Sequence, residues 1–253
     1  MKLRPVVLSI GTSEPWAAAG IHLDLRISGQ LDIQLRTCIV AVSAQDGIGS
    51  LQMQPMPAEI IRAQLASVDQ GNVASIRIGA FCSHETALEL ASILATQTVP
   101  VVYDPVLATS SGQSFLDSAS IETMRKLILP HVTLLTPNLD EAEQLSQQRV
   151  RSVQEMEKAA QRIAALGPKA VLIKGGHLEG APVDVLWDGE QIHRFVGTRL
   201  AHGMRGTGCI MALACAAGLA YQRSLHHSVR DARELIRAAI ENATNAGRFW
   251  IAA

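Results

Sequence analysis

The run Arg205-Gly206-Thr207-Gly208-Cys209 leads straight into an apolar helical stretch, Ile210–Tyr221. Glycines at a helix start leave backbone N–H groups exposed, and the positive end of the helix dipole adds to them. Together they form a site for an anion, such as a phosphoryl group in transit. Cys209 falls in the first turn, where that field is expected to lower its thiol from the reference pKa of ~8.5. A thiolate there can take a proton from an attacking hydroxyl. The same five residues also suit a plain glycine turn before a small buried cysteine.

Other positions carry similar chemistry. Asn138-Leu139-Asp140-Glu141 puts an asparagine at a helix start and carboxylates in its first turn. That pattern caps a helix. A second reading is oxygen ligation of Mg²⁺, usually through water, beside phosphates. Asp104-Pro105, at the end of an apolar run, has the same two readings. Lys174, between an apolar run and Gly175-Gly176, fits a phosphate contact better than a solvated face. The first loop is not GxGxxG and the chain has no GxxxxGK[ST], which weakens a dinucleotide-binding domain and a P-loop ATPase.

The elements that must position these residues alternate along the chain. Apolar runs without polar alternation occur at Val6–Ile10, Cys38–Val42, Ile76–Ile78, Val99–Tyr103, Val132–Leu135 and Val171–Ile173. Such runs suit strands buried on both faces of a parallel sheet. Helical stretches lie between them at Ala58–Val68, Glu85–Thr96, Ser120–Leu127, Leu139–Leu145 and Val153–Leu166. Val183–Trp187 and Gln191–Val196 flank Asp188-Gly189-Glu190 and predict an antiparallel edge hairpin. Helices Thr207–Tyr221 and Val229–Asn245 follow. The pattern predicts one α/β domain over residues 1–253, a doubly wound α/β/α sandwich with right-handed crossovers. Ligands in such sheets bind beyond the carboxyl ends of the strands. The polar residues recur there: Gly11 to Gly20, Ser43-Ala44-Gln45-Asp46-Gly47, Asp104, Asn138 and Lys174.

Composition narrows the partners. The chain has 253 residues, with Lys+Arg 22 against Asp+Glu 23 and a net charge of −1. That balance argues against a nucleic-acid binder or a polybasic membrane protein. Aromatic residues are only 4%, too few for a base-stacking platform. The twelve-residue run Ile210–Tyr221 is short of the ~20 a bilayer span takes. The apolar stretch Val6–Ile10 near the N-terminus reads as a strand rather than a signal peptide. Cys38, Cys82, Cys209 and Cys215 form no CxxC pair, so the expectation is a reduced cytoplasmic protein without zinc or disulfides.

Taken together, the motifs resemble the hydroxymethylpyrimidine/phosphomethylpyrimidine kinases of thiamine biosynthesis, in the ribokinase superfamily. The matching stretches are Ala41-Val42-Ser43-Ala44-Gln45-Asp46, Asp104-Pro105-Val106 with Ser111-Gly112, Leu129-Pro130, and Thr136-Pro137-Asn138-Leu139-Asp140-Glu141-Ala142-Glu143. Lys174-Gly175-Gly176-His177-Leu178 and Gly206-Thr207-Gly208-Cys209 complete them, in family order. The resemblance implies a ribokinase-like three-layer α/β/α sandwich with a mostly parallel sheet. It implies ATP- and Mg²⁺-dependent phosphorylation of 4-amino-5-hydroxymethyl-2-methylpyrimidine, its monophosphate, or both, by a homodimer. Cys209 would be the catalytic residue, and the backbone of Gly206, Thr207 and Gly208 the anion hole. Lys174, Asn138 and Glu141 would face the nucleotide, with Asp104 and Glu141 toward the metal. The pyrimidine would fall to the first loop, with Trp16, Gly20, His22 and Asp24, and to Gln45. The Gln45 carboxamide carries both a donor and an acceptor for an aminopyrimidine edge.

Departures from the family pattern collect at the pyrimidine end. Where family members have two glycines the chain has Ala17 and Ala18, which restricts the backbone. Trp16 adds bulk, and His22 stands for a glutamine. Ala80 stands for a methionine, Ser110 for a lysine and Arg205 for a histidine, and Arg248-Phe249-Trp250 stands in place of the usual tail. Two alternatives follow: a sister kinase for another hydroxymethyl ring compound, such as pyridoxal or a thiazole alcohol, or a non-catalytic pyrimidine-binding paralogue.

Overall fold

The computed structural model describes residues 4–45, 51–68, 70–108, 115–247 and 249–252. Asp46, Gly47, Ser110, Ser111, Gly112 and Arg248, named above, lie outside them. In chain order the elements are β1 (Val6–Ser13), α1 (Gly20–Ser28), β2 (Gln34–Gln45), β3 (Leu51–Pro55), α2 (Ala58–Ser67) and β4 (Val73–Ile78). Next come α3 (His84–Leu94), β5 (Val101–Tyr103), α4 (Ser118–Thr123), β6 (Leu134–Leu135), α5 (Leu139–Ser146), α6 (Val153–Ala164) and β7 (Ala170–Ile173). The chain closes with β8 (Val183–Trp187), β9 (Ile192–Val196), α7 (Thr207–Ala220), α8 (Leu225–Glu241), β10 (Thr244–Asn245) and β11 (Trp250–Ile251).

The apolar runs do become a sheet, in the order β3-β2-β1-β4-β5-β6-β7-β8-β9. From β2 to β7 the pairings are parallel. The expected edge hairpin is β8–β9, antiparallel on β7 and on itself. One core lies on each face. On one, Leu8, Ile10, Ile78, Tyr103, Leu135 and Ile173 pack against residues of α2, α3, α5 and α6. On the other, Val7, Val102, Leu134 and Leu172 pack against Leu23 and Ile27 of α1 and against α7. Burial of an aliphatic side chain contributes ~1.5–3 kcal/mol, so strands with both faces covered need no polar alternation. Helix α7 is buried from Ile210 to Gly218, apolar all round because sheet, α1 and α8 enclose it.

Several boundaries differ from the sequence expectation. The stretch expected to be a loop after the second strand, Ser43 to Gln45, is strand, pairing antiparallel with β3. Its alternating burial hides it from a search for continuous apolar runs. Helix α1, absent from the sequence reading, starts at Gly20 and buries Ile21, Leu23, Asp24 and Ile27. Helix α8 begins earlier, because the Ser224 side chain caps it, and stops at Glu241. Thr244–Asn245 instead pairs with Trp250–Ile251. Among the described residues no helix is long and apolar enough to cross a membrane.

Topology decides where a ligand goes. From β1 the chain crosses over to β2 on one side, then returns through α2 to β4 on the other. The reversal opens a crevice beyond the carboxyl ends of β1 and β4. The loop before α1 and the N-terminus of α7 meet there, as follows.

Candidate active site

One end of the candidate site is built around the start of α7. Gly206 precedes the helix at φ 81°, ψ 5°, and no side chain caps the first turn. A Cβ at Gly206 would collide with the Ala18 carbonyl oxygen and Leu23 Cδ2. Only glycine allows both that backbone and that contact with the first loop. At Gly208 a Cβ would come within 3.0 Å of Asp104 Oδ2 and 3.1 Å of Lys174 Nζ. The turn at Gly208 therefore packs against a charged pair, in which Lys174 Nζ donates to Asp104 Oδ1 at 2.6 Å.

Loops after β5, β6 and β7 converge to set that pair. Lys174 follows β7, and its N–H donates to the Pro137 carbonyl at 2.9 Å. Asn138 and Glu141 form a reciprocal cap on α5: Glu141 N–H to Asn138 Oδ1 at 2.8 Å, and Asn138 N–H to Glu141 Oε2 at 2.7 Å. Capping is thus realised, and it leaves Asn138 Nδ2 and Glu141 Oε1 outside the cap. Burial pushes the Glu141 carboxyl up to about 7; Lys174 opposes that rise and Asp104 adds to it. Desolvation works against the Lys174 ammonium, but Asp104, Glu141 and Cys209 outweigh it and hold its pKa above the usual lysine value.

The Cys209 thiol corrects one expectation. Helix α7 starts where the sequence places it, but dense packing raises the thiol above its ordinary value instead of letting the dipole lower it. Arg77 and a hydrogen bond from the Gly20 N–H pull the other way, while Asp104 and Asp24 add to the rise. Desolvation here exceeds the lowering from Arg77 and the Gly20 N–H.

Arg77, Asp184 and Glu14 belong to the site and were missed. Arg77 in β4 is 1% exposed and pairs with Asp24 at 3.2 Å, Asp24 itself being 0% exposed. Its guanidinium runs beneath Gly11 and Gly79, at the ends of β1 and β4, where a Cβ on either glycine would crowd it. Asp24 also takes the Ser9 hydroxyl at 2.5 Å. The structure therefore places Asp24 behind the first loop, held by Arg77 and Ser9. The signal was a lone arginine inside an apolar strand. Asp184 in β8 accepts the Gly175 N–H at 2.8 Å and pairs with Arg233. It fixes the glycines after Lys174, and only the three-dimensional pairing of hairpin and loop reveals it.

Glu14 organises the first loop, at the other end of the candidate site. It is 2% exposed, and its carboxylate accepts the N–H groups of Trp16 at 2.9 Å, Ala19 at 2.7 Å, and Ala18. This grip holds Ala17 at φ 49°, a left-handed conformation that favours glycine. Gly20 at φ 59° seats its Cα against the Thr12 backbone. His22 Nδ1 is 2.8 Å from the Glu14 carbonyl oxygen. The Trp16 indole N–H donates to the Gln45 carbonyl oxygen at 3.0 Å, and Arg205 Nη2 donates to Gln45 Oε1 at 2.7 Å. Trp16, Gln45 and Arg205 are thus brought together, with His22 and Gly20 on the same loop and Asp24 beneath it.

A three-layer sandwich with an uncapped glycine turn over a lysine–carboxylate cluster defines a phosphoryl-transfer enzyme of the ribokinase-like class. The comparisons bear this out. A model of the phosphomethylpyrimidine kinase family matches residues 14–251, and the chain belongs to that family. A hydroxymethylpyrimidine/phosphomethylpyrimidine kinase of Streptomyces coelicolor is 38% identical over 238 residues, 93% of this chain and 88% of that one. A Bacillus subtilis pyridoxal kinase, solved as an ADP complex, superposes with a TM-score of 0.90 at 28% identity, covering 98% and 97% of the two chains. A Clostridium difficile phosphomethylpyrimidine kinase gives 0.83 at 28% identity, covering 94% of this chain and 100% of that one.

Proposed function

We propose that this chain transfers the γ-phosphoryl group of ATP to 4-amino-5-hydroxymethyl-2-methylpyrimidine, to its monophosphate, or to both, in thiamine biosynthesis. The observation that carries the reading is the stacking of the glycine turn on the Lys174–Asp104 pair, 2.6 Å apart, with Cys209 one residue on. In the transfer the acceptor oxygen bonds to the γ-phosphorus, the bond from that phosphorus to the β,γ-bridging oxygen breaks, and ADP leaves. The acceptor's proton passes to Sγ of Cys209 in its thiolate form, the resting thiol having first given up its own proton to solvent. Backbone N–H groups of the turn and the Lys174 ammonium neutralise charge on the moving group, the main task in phosphoryl transfer. Because the resting thiol is raised, the sulfur becomes a strong base once ionised, and Arg77 is the cation beside it.

Among the described residues no three His, Cys, Asp or Glu side chains form a cluster for an ion. Mg²⁺ instead commonly takes one or two carboxylates together with substrate phosphates. Asp104 and Glu141 fit that habit, since a cation would offset the burial that raises the Glu141 carboxyl to about 7. These two residues, beside Asn138, would hold Mg²⁺, which when bound supplies charge neutralisation on phosphate oxygens. The single sheet carrying both ends of the site supports reading residues 1–253 as one kinase domain. The cysteine spacing, with no CxxC pair, supports the reading of a reduced, cytoplasmic protein, and the family resemblance supports a homodimer.

The TM-score of 0.90 with a pyridoxal kinase favours pyridoxal as the second acceptor to test. ADP release is measured with the pyrimidine alcohol, its monophosphate, pyridoxal and a thiazole alcohol in parallel. The reading expects the highest kcat/KM with one of the two pyrimidines. ADP release driven only by a non-pyrimidine alcohol overturns the substrate, and no release with any of them overturns the enzyme.

A further inference from the structure

The hydrogen bonds around Gln45 have directions that can be assigned without seeing hydrogens. A guanidinium has no acceptor, so the Gln45 atom 2.7 Å from Arg205 Nη2 is the amide oxygen. The amide nitrogen then lies 3.2 Å from Ser43 Oγ. Ser43 spends its own proton on the Ser13 carbonyl oxygen at 3.1 Å and therefore accepts from Gln45. The side-chain amide is held at both ends. One lone pair on Oε1 and one N–H on Nε2 remain uncommitted within this chain of bonds.

Arg205 is itself held from behind. Its guanidinium lies 4.7 Å over the Phe249 ring, and its N–H donates to the Trp250 carbonyl oxygen at 2.9 Å. Phe249 meets the edge of Trp16 at 5.3 Å, and Trp16 bonds the Gln45 main chain. The C-terminal segment thus closes a ring with the first loop and the end of β2.

We infer that Arg205 is a positioning residue for acceptor recognition. It fixes which end of the Gln45 carboxamide is oxygen, so that a donor and an acceptor are offered in set order to an aminopyrimidine edge, and Phe249 steadies it. The inference rests on the reading of Gln45 as the pyrimidine contact. An amide that loses this partner can turn or swing its oxygen away from the acceptor edge, and mismatched or unmade polar pairs are costly.

The test is binding of the pyrimidine alcohol by calorimetry, with steady-state kinetics, for wild type, Arg205→Met, Gln45→Ala and the double variant, each checked for fold by circular dichroism. Arg205→Met is expected to weaken pyrimidine binding at least ten-fold, leave the KM for ATP within two-fold, and add nothing to the loss in Gln45→Ala. Phe249→Leu is expected to show a smaller loss in the same direction, about three-fold. Unchanged binding in Arg205→Met overturns the inference, as does an undiminished Arg205 effect in the Gln45→Ala background, which would mean direct contact with the ligand. If Gln45→Ala alone binds normally, or the wild type binds no pyrimidine, the reading of Gln45 fails and the inference with it. Loss in Gln45→Ala without loss in Arg205→Met removes the inference and keeps the reading.

Discussion

Ionisable groups in the site are governed more by burial than by the fields that sequence alone suggests. Asn138 and Glu141 show why: the spacing of a cap was legible, but a desolvated carboxyl depends on what covers it. Glu141 keeps its proton to about 7 when folded, against 4.5 for the ordinary group. Between these values the folded state binds more protons than the unfolded one, so this group makes the ligand-free protein lose stability as pH rises through that window. Asp24 and Asp184, also raised by burial, act with the same sign. Glu141→Gln is expected to flatten the fall in Tm from about pH 5 to 7; an unaltered slope contradicts the assignment. At Ala17, where φ is 49°, glycine removes strain of ~1–2 kcal/mol and gives back ~0.4–1 kcal/mol through the unfolded chain. Ala17→Gly is expected to raise Tm by about 1–3 °C, and a lower Tm shows that the loop is not strained there.

Elements were legible where one physical signal dominated. Helix α7 follows from the glycine turn and the apolar run that only a fully enclosed helix tolerates. Strand β2 was recovered only over its apolar centre, because its ends alternate in burial. Helix α1 escaped because it begins at a glycine of positive φ and is short; tertiary contact with β1 and α7 stabilises it. The β10–β11 ribbon has two residues a side and leaves no periodicity to read. The α7–α8 crossing offers a test. A Cβ at Gly218 would stand 2.8 Å from Ser228 Cβ, so Gly218→Ala must push the helices apart. A loss of about 1–3 kcal/mol by urea unfolding is expected; unchanged stability means that the crossing has slack.

Across the whole molecule, the reversal of strand order at β1 brings together residues far apart in the chain. Cys209, Lys174, Asp104 and Glu141 gather at the start of α7, the proposed phosphate end. The acceptor end was less legible, because its key partners, Glu14 with the first loop and Arg205 with Phe249, act through long-range contacts. The near-neutral net charge of −1 is compatible with phosphate chemistry, since the positive potential comes from one helix end and a few buried cations. The central claim is that Cys209 is the proton acceptor in this crevice, and the most direct measurement is ADP release by Cys209→Ala beside calorimetric binding of ATP and the pyrimidine alcohol. The expected result is a fall in kcat of about 10²–10⁴-fold with both ligands still bound. A Cys209→Ala enzyme that turns over at the wild-type rate would contradict the account.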